Sequence, residues 1–201
     1  MVTTGSTIFV TCGATVPFPE LTDAILNPEF AQTASKLGYT RIILQTPSFD
    51  SEDGHSGDHL QKQRRDGKPS LSKEELGCPS IVDHWVFDNN VEYIVINYSS
   101  DVQRLIREHV DLVVSHAGTG SILDALRLQK ALIVCVNTKL MGNHQQQIAD
   151  KFSELGYVLV SEPAVGALSR VLVSLQRNKL KPFSCEHSEE FANAILKLAY
   201  S

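Results

Sequence analysis

Six short runs of β-branched and aliphatic residues recur along the chain, and this alternation constrains the fold more than any other feature. The runs are Thr7–Cys12, Arg41–Thr46, Val91–Tyr98, Asp111–Ser115, Ala131–Val136 and Tyr157–Ser161. Nearly continuous apolar runs of this length suit parallel strands covered on both faces. Helix-period segments lie between them. A helix start follows the first run around Pro17–Pro19; Val102, Leu105 and Ile106 share one helical face, and Ile148, Phe152 and Leu155 another. Strand–helix alternation predicts a doubly wound α/β domain with a mostly parallel sheet. There are no internal repeats. At 201 residues, the chain is expected to form a single domain over 1–201 and to bury roughly 70% of its unfolded surface.

One segment breaks the rhythm. Pro47–Cys78 contains 12 Asp, Glu, Lys or Arg residues and few apolar ones, so residues 47–80 read as a polar, partly disordered excursion. His55, Asp58 and His59 lie inside it. No further ligand pair accompanies them, so solvated loop histidines are the reading preferred over zinc.

Several function classes are disfavoured. The net charge is −5, from 18 basic and 23 acidic residues, and no basic stripe marks a nucleic-acid partner. No apolar run reaches the roughly 18 to 20 residues of a membrane span, and the N-terminus lacks the order of a signal peptide. Cys12, Cys78, Cys135 and Cys185 form no C-x-x-C pair and read as reduced thiols of a cytosolic protein.

Ligands of open α/β sheets bind beyond the carboxyl ends of the strands. Three loops there are unusual: Thr11–Thr15 after the first run, Ser115–Ser121 after the fourth, and Asn137–Asn143 before His144-Gln145-Gln146-Gln147. All three are expected to face one crevice. Gly118-Thr119-Gly120-Ser121 opens a helix with apolar Ile122, Leu123 and Leu126, a place where a diphosphate could meet helix-terminal N–H groups. It is neither the dinucleotide fingerprint, since Leu123 holds the third glycine's place, nor a Walker loop. A plain tight turn is the bland reading. Asp124 is either a ribose-binding carboxylate or the partner of Ser121 in a capping box. Asn143 and Gln146 present the same choice, and Gln145 with Gln146 could hold sugar hydroxyls. His116 is a phosphate partner or a structural polar residue. There is no D-x-D triplet to hold a metal-bound sugar nucleotide and no G-x-S-x-G elbow. Trp85 reads as packing.

At these residues a resemblance enters. FVTCGATVPFPEL, DLVVSHAGTGSILDALRLQKALIVCVN and NHQQQIADKFSELGY resemble the soluble subunits, in fungal form, of the two-subunit N-acetylglucosaminyltransferase of dolichol-linked oligosaccharide synthesis. The resemblance covers nearly the whole chain and is weakest in Pro47–Cys78. More distantly, the chain is similar to the C-terminal half of the bacterial transferase MurG.

The resemblance implies the Rossmann-like donor-binding half of a GT-B glycosyltransferase. A membrane-anchored subunit would supply the acceptor half, forming a heterodimer on the cytosolic face of the endoplasmic reticulum. The implied reaction moves GlcNAc from UDP-GlcNAc to GlcNAc-diphosphodolichol with inversion, giving chitobiosyl-diphosphodolichol. No cofactor or metal is implied. By motif, Gly118, Thr119, Gly120 and Ser121 match the diphosphate-binding turn, and Gly13, Ala14 and Thr15 a glycine-rich loop beside the phosphates. Asp124 matches a position usually held by a ribose-binding glutamate, one methylene longer. Gln145 and Gln146 match the pair on the sugar hydroxyls, with Asn143 beside them. His116 stands where relatives carry a basic residue. The catalytic base is not assigned, His116 being a weak candidate.

The stretch Ser188–Tyr200 has Phe191, Ala192, Ile195, Leu196 and Ala199 on one helical face. It either closes the domain's own core or docks on the membrane subunit, which the resemblance favours. Two other functions compete with this one: a non-catalytic nucleotide-sugar-binding subunit, opposed by the intact motifs, and a stand-alone enzyme such as an epimerase, opposed by length.

Overall fold

The computed structural model describes residues 5–13, 17–47, 64–65, 67–87, 89–137 and 144–184. Eight strands form one sheet: β1 (Ser6–Thr11), β2 (Tyr39–Gln45), β3 (Arg64–Arg65), β4 (Ile81–Phe87), β5 (Glu92–Ile96), β6 (Leu112–Ser115), β7 (Ala131–Cys135) and β8 (Leu159–Ser161). The helices are α1 (Pro19–Leu26), α2 (Pro28–Lys36), α3 (Lys73–Leu76), α4 (Val102–His109), α5 (Thr119–Arg127), α6 (His144–Glu154) and α7 (Val165–Leu175). All six strands expected from the apolar runs are present.

The strand order is β3-β4-β5-β2-β1-β6-β7-β8. The six strands from β5 to β8 pair in parallel, whereas β3 and β4 add an antiparallel edge. From β1 the chain winds outward through β2 to β5, then crosses to the other side of β1 and continues through β6, β7 and β8. The winding direction therefore reverses between β1 and β6, and the crevice at the carboxyl ends of those two strands is the usual ligand site of such sheets.

Period-two alternation splits each strand between two cores. Ile8, Val10, Ile42, Leu44, Tyr93, Val95, Leu112 and Val114 face one side, with Leu21, Ile25 and Phe30 of α1 and α2 and Leu168 and Leu172 of α7. Phe9, Ile43, Ile94, Ile96, Val113, Leu132 and Val134 face the other, with α4, α5 and α6. Both faces are covered, which explains the nearly unbroken apolar runs.

The sequence reading has no strand between Cys78 and Val91, and β4 fills that gap. Asp83 and His84 interrupt its apolar pattern because β4 lies near the edge and is only partly buried at its start. Its far end packs fully. Trp85 stacks on Tyr93 with ring centroids 5.2 Å apart, and Phe87 meets the same ring edge-on at 5.1 Å. Tyr93 donates its hydroxyl to the Ile25 carbonyl at 2.8 Å.

Of the polar excursion, residues 48–63 and Asp66, including His55, Asp58 and His59, lie outside the described residues. From Gly67 onward the chain belongs to the packed fold. Leu71, Leu76 and Cys78 are buried in the second core, and a capping box of Ser72 and Glu75 starts α3. Glu92 accepts hydrogen bonds from the Ser70 amide (2.7 Å), the Ser70 hydroxyl and Arg41 (2.9 Å). Composition hides this anchoring, because its partners come from β2 and β5. Among the described residues, no helix is long and apolar enough to cross a membrane.

Candidate functional site

The loops leaving β1 and β6 meet at the reversal point. Gly13 has φ +89°, a left-handed conformation that favours glycine. Across from it, β6 runs straight into the turn that starts α5. Ala117 carries that turn at φ +68° with its methyl fully buried. A left-handed non-glycine residue costs on the order of 1–3 kcal/mol and persists only where its surroundings impose it.

His116 ties the two loops together. Its backbone amide donates to the Thr11 carbonyl at 3.1 Å, and its Nδ1 lies 3.1 Å from the same oxygen. A carbonyl only accepts, so Nδ1 carries the proton. The opposite nitrogen points into space that only glycine backbone leaves open: a Cβ at residue 118 would stand 2.6 Å from Nε2, and one at residue 13 would stand 3.2 Å away. Burial holds the imidazole below its usual titration range, with the Thr11 carbonyl opposing that shift.

Helix α5 begins three residues earlier than a Ser121 cap would require. Its N-cap is Gly118 and, among the described residues, no side chain caps its first turn, so the first N–H groups keep their capacity for an anion. A Cβ at Gly120 would meet nothing. Ser121 already lies inside the helix. Its hydroxyl donates to the Gly118 carbonyl at 2.9 Å and receives the Ser115 hydroxyl at 2.6 Å. Asp124 makes no capping box; its Oδ1 accepts from Gln103 of α4 at 2.9 Å.

At the start of α6 the two glutamines differ. Gln145 is half-buried, and among the described residues its Oε1 has no hydrogen-bond partner. Gln146 donates to Asp150, one turn along the same helix, at 2.8 Å. Ala14, Thr15 and Asn143 lie outside the described residues, as does Ser188–Tyr200.

The structure thus joins Gly13, His116, Gly118 and the first turn of α5 (Thr119, Gly120, Ser121) at one point, with Asp124 a turn further on. Two partners escape sequence reasoning. Gln103 meets Asp124, and Thr11 fixes His116, and neither pairing leaves a local pattern because each joins distant strands or helices. A cavity of about 410 Å³ lies elsewhere, at the amino-terminal end of β7, lined by Leu126, Lys130, Tyr157, Lys181 and Phe183 among others. No candidate residue lines it.

Thiol chemistry finds no support at this crevice. Burial pushes the Cys12 thiol up to about 11, against a weaker opposing effect of the Thr22 hydroxyl, and Cys135 is raised further by burial. Neutral buried thiols are poor nucleophiles. Among the described residues, no group of three or more His, Cys, Asp or Glu side chains is arranged to hold a metal ion.

The fold and its switch-point crevice define a class: the C-terminal half of a GT-B glycosyltransferase. MurG of Acinetobacter baumannii shares the fold with a TM-score of 0.52 at 12% identity, over 85% of this chain and 41% of that one. Os79 from O. sativa, solved in complex with UDP, gives 0.52 at 14% identity, over 96% of this chain and 35% of that one. The family model for the glycosyltransferase family 28 C-terminal domain matches residues 7–198.

Closer relatives narrow this. The UDP-N-acetylglucosamine transferase subunit ALG13 of Saccharomyces cerevisiae is 44% identical over 96% of each chain. Its namesake in Candida glabrata is 39% identical over 96% of this chain and 98% of that one. A solution NMR structure of ALG13 superposes with a TM-score of 0.73 at 43% identity, covering 98% of both chains. The chain belongs to glycosyltransferase family 28 and, within it, to the family of ALG13 transferase subunits.

Proposed function

We propose that this chain is the donor-binding subunit of an inverting N-acetylglucosaminyltransferase. It takes GlcNAc from UDP-GlcNAc and delivers it to GlcNAc-diphosphodolichol, giving chitobiosyl-diphosphodolichol. A membrane-anchored partner supplies the acceptor-binding half and recruits the chain to the cytosolic face of the endoplasmic reticulum. The observation that carries this reading is the convergence of Gly13, His116, Gly118 and the uncapped start of α5 at the sheet's reversal point.

The proposed roles of the described residues follow from that placement, and those of Ala14, Thr15 and Asn143 from the sequence motifs alone. The diphosphate lies against the first turn of α5 and the edge of His116, with Gly13, Ala14 and Thr15 beside it. The helix-terminal N–H groups stabilise the leaving UDP, and such electrostatic stabilisation can be worth several kcal/mol. The free oxygen of Asp124 reaches the ribose while Gln103 holds the other. Gln145 and Gln146, with Asn143 beside them, take the sugar hydroxyls, and the buried Oε1 of Gln145 gains a donor when they arrive. His116 is disfavoured as the base that deprotonates the acceptor hydroxyl, because its Nε2 edge is directed at the glycine backbone of the diphosphate turn.

The decisive experiment reconstitutes the chain with its membrane partner and assays GlcNAc transfer from labelled UDP-GlcNAc to a polyprenyl-diphosphate-linked GlcNAc acceptor. The expected product is the lipid-linked disaccharide of inverted configuration. Binding of UDP-GlcNAc without any transfer by the complex would support a non-catalytic subunit instead.

A further inference from the structure

One ring nitrogen of His116 is committed and the other is not. Nδ1 lies 3.1 Å from the Thr11 carbonyl oxygen and must keep its proton, so the neutral ring leaves Nε2 as a bare acceptor. Nε2 is also the edge that the glycine backbone at residues 13 and 118 leaves room for. A diphosphate consists of acceptors. A neutral His116 would set a lone pair against an anionic oxygen, whereas a protonated one would donate to it.

Among the described residues, the groups packed around the ring do not titrate near neutrality. From β1 it meets the Thr11 carbonyl and the Gly13 backbone, and from the β6–α5 turn the Gly118 backbone, with the Ser121 hydroxyl close by and already donating to the Gly118 carbonyl. Among the described residues, neither a carboxylate nor a cation acts on the ring; burial and the Thr11 carbonyl account for its lowered titration. Without a ligand, burial therefore favours the neutral ring over the charged one.

We infer that donor binding draws one proton from solvent onto His116 Nε2, making a tautomer-locked imidazole the proton-coupled clamp of the nucleotide-sugar diphosphate. The inference rests on the proposed donor site and adds its protonation chemistry. Affinity is then greatest where the free ring is already charged and declines as pH rises through neutrality, by up to about tenfold per pH unit.

The test titrates UDP-GlcNAc into the full chain by calorimetry, between pH 6 and 8.5, in pairs of buffers with different ionisation enthalpies. UDP-GlcNAc is the probe because both its phosphates are esterified, whereas a terminal phosphate itself titrates near 6. The expected results are uptake of up to one proton per donor bound and a dissociation constant that climbs with pH. His116→Asn retains an amide donor for the Thr11 carbonyl but cannot become charged, so its binding should be weaker at low pH, independent of pH and free of proton uptake. Nitrogen-resolved NMR of the unsubstituted chain gives the same answer without a variant: at pH 7.5, added UDP-GlcNAc should convert His116 to the imidazolium form. Proton uptake that persists in His116→Asn overturns the inference, as does tight wild-type binding with a flat profile and a neutral ring. Failure of UDP-GlcNAc to bind at every pH would defeat the donor-site reading itself, and this inference with it.

Discussion

His116 and Gly118 compete for one volume: a methyl group on residue 118 would stand 2.6 Å from His116 Nε2. The backbone at 118 has φ −68°, which any residue adopts, so the glycine is required by the neighbouring ring and not by its own conformation. Gly118→Ala should cost about 1–3 kcal/mol by overpacking and should weaken UDP-GlcNAc binding. The same substitution made on a His116→Ala background should cost much less. A double-mutant cycle by urea denaturation measures the difference. Equal costs on both backgrounds would show that the ring and the glycine are independent.

Asp124 separates a binding role from a structural one. Helix α5 starts at Thr119 after its N-cap Gly118 and takes no cap from Ser121 or Asp124, and the bond that Asp124 accepts from Gln103 is exposed. Asp124→Ala should therefore leave stability within about 0.5 kcal/mol of the parent. Loss of a charged acceptor on the ribose should weaken UDP-GlcNAc by about 1.5–3 kcal/mol. Thermal unfolding and calorimetric binding, run side by side, decide it. A destabilised variant with unchanged affinity is the opposite outcome and would return Asp124 to a purely structural role.

These two residues mark how far sequence reasoning reaches. The apolar runs locate β1, β2, β5, β6, β7 and β8 because both sheet faces are covered, and their order along the chain leads to the β1/β6 crevice. Strand β4 escapes because Asp83 and His84 sit near an open edge where burial is partial. Within the site, the turn Gly118–Ser121 is legible as a helix start, but its two glycines answer to different needs. Gly120 faces open space, while Gly118 yields to a ring that also contacts β1. Such a contact joins strands a hundred residues apart and has no local signature.

Glu92 predicts an acid-sensitive anchor for the returning excursion. Burial raises its titration, but the Ser70 hydroxyl and amide, Arg41 and His84 outweigh it and hold the carboxyl below its usual range. A carboxylate lowered in the folded state stabilises above its unfolded pKa and loses that stabilisation as pH falls through the folded value. Glu92→Gln should cost about 1–3 kcal/mol at pH 7, and the gap between variant and parent should close towards pH 3. Urea titrations at the two pH values test this. A gap that stays constant would mean that shape, not charge, does the anchoring.

Donor binding and transfer should not require a divalent cation. The sequence has no D-x-D triplet, and the proposed charge stabilisation comes from the first turn of α5 together with His116. The reconstituted complex should retain its rate in excess chelator. Activity abolished by chelator and restored by manganese or magnesium would refute the assignment of leaving-group stabilisation to the helix terminus, provided the partner subunit is itself unaffected.

The isolated chain should fold and bind UDP-GlcNAc yet transfer almost nothing. Among the described residues a buried core lies on each face of its sheet, so the chain is expected to fold without a partner. The proposed donor site, however, occupies one wall of an open crevice at the β1/β6 switch point. Transfer also needs an acceptor hydroxyl held in line with the sugar's anomeric carbon. Fixing two reactants in this way can account for roughly 7–11 kcal/mol of barrier lowering, and a chain with one wall forgoes most of it. Purified chain should therefore show donor binding by calorimetry but transfer rates many orders of magnitude below those of the complex, even with a short-chain soluble acceptor. Adding the partner subunit should restore the rate without greatly changing donor affinity, because Gly13, His116, Gly118 and Asp124 all lie on this chain. If the chain alone matches the complex, both walls of the active site must lie within it and the division into donor and acceptor subunits fails.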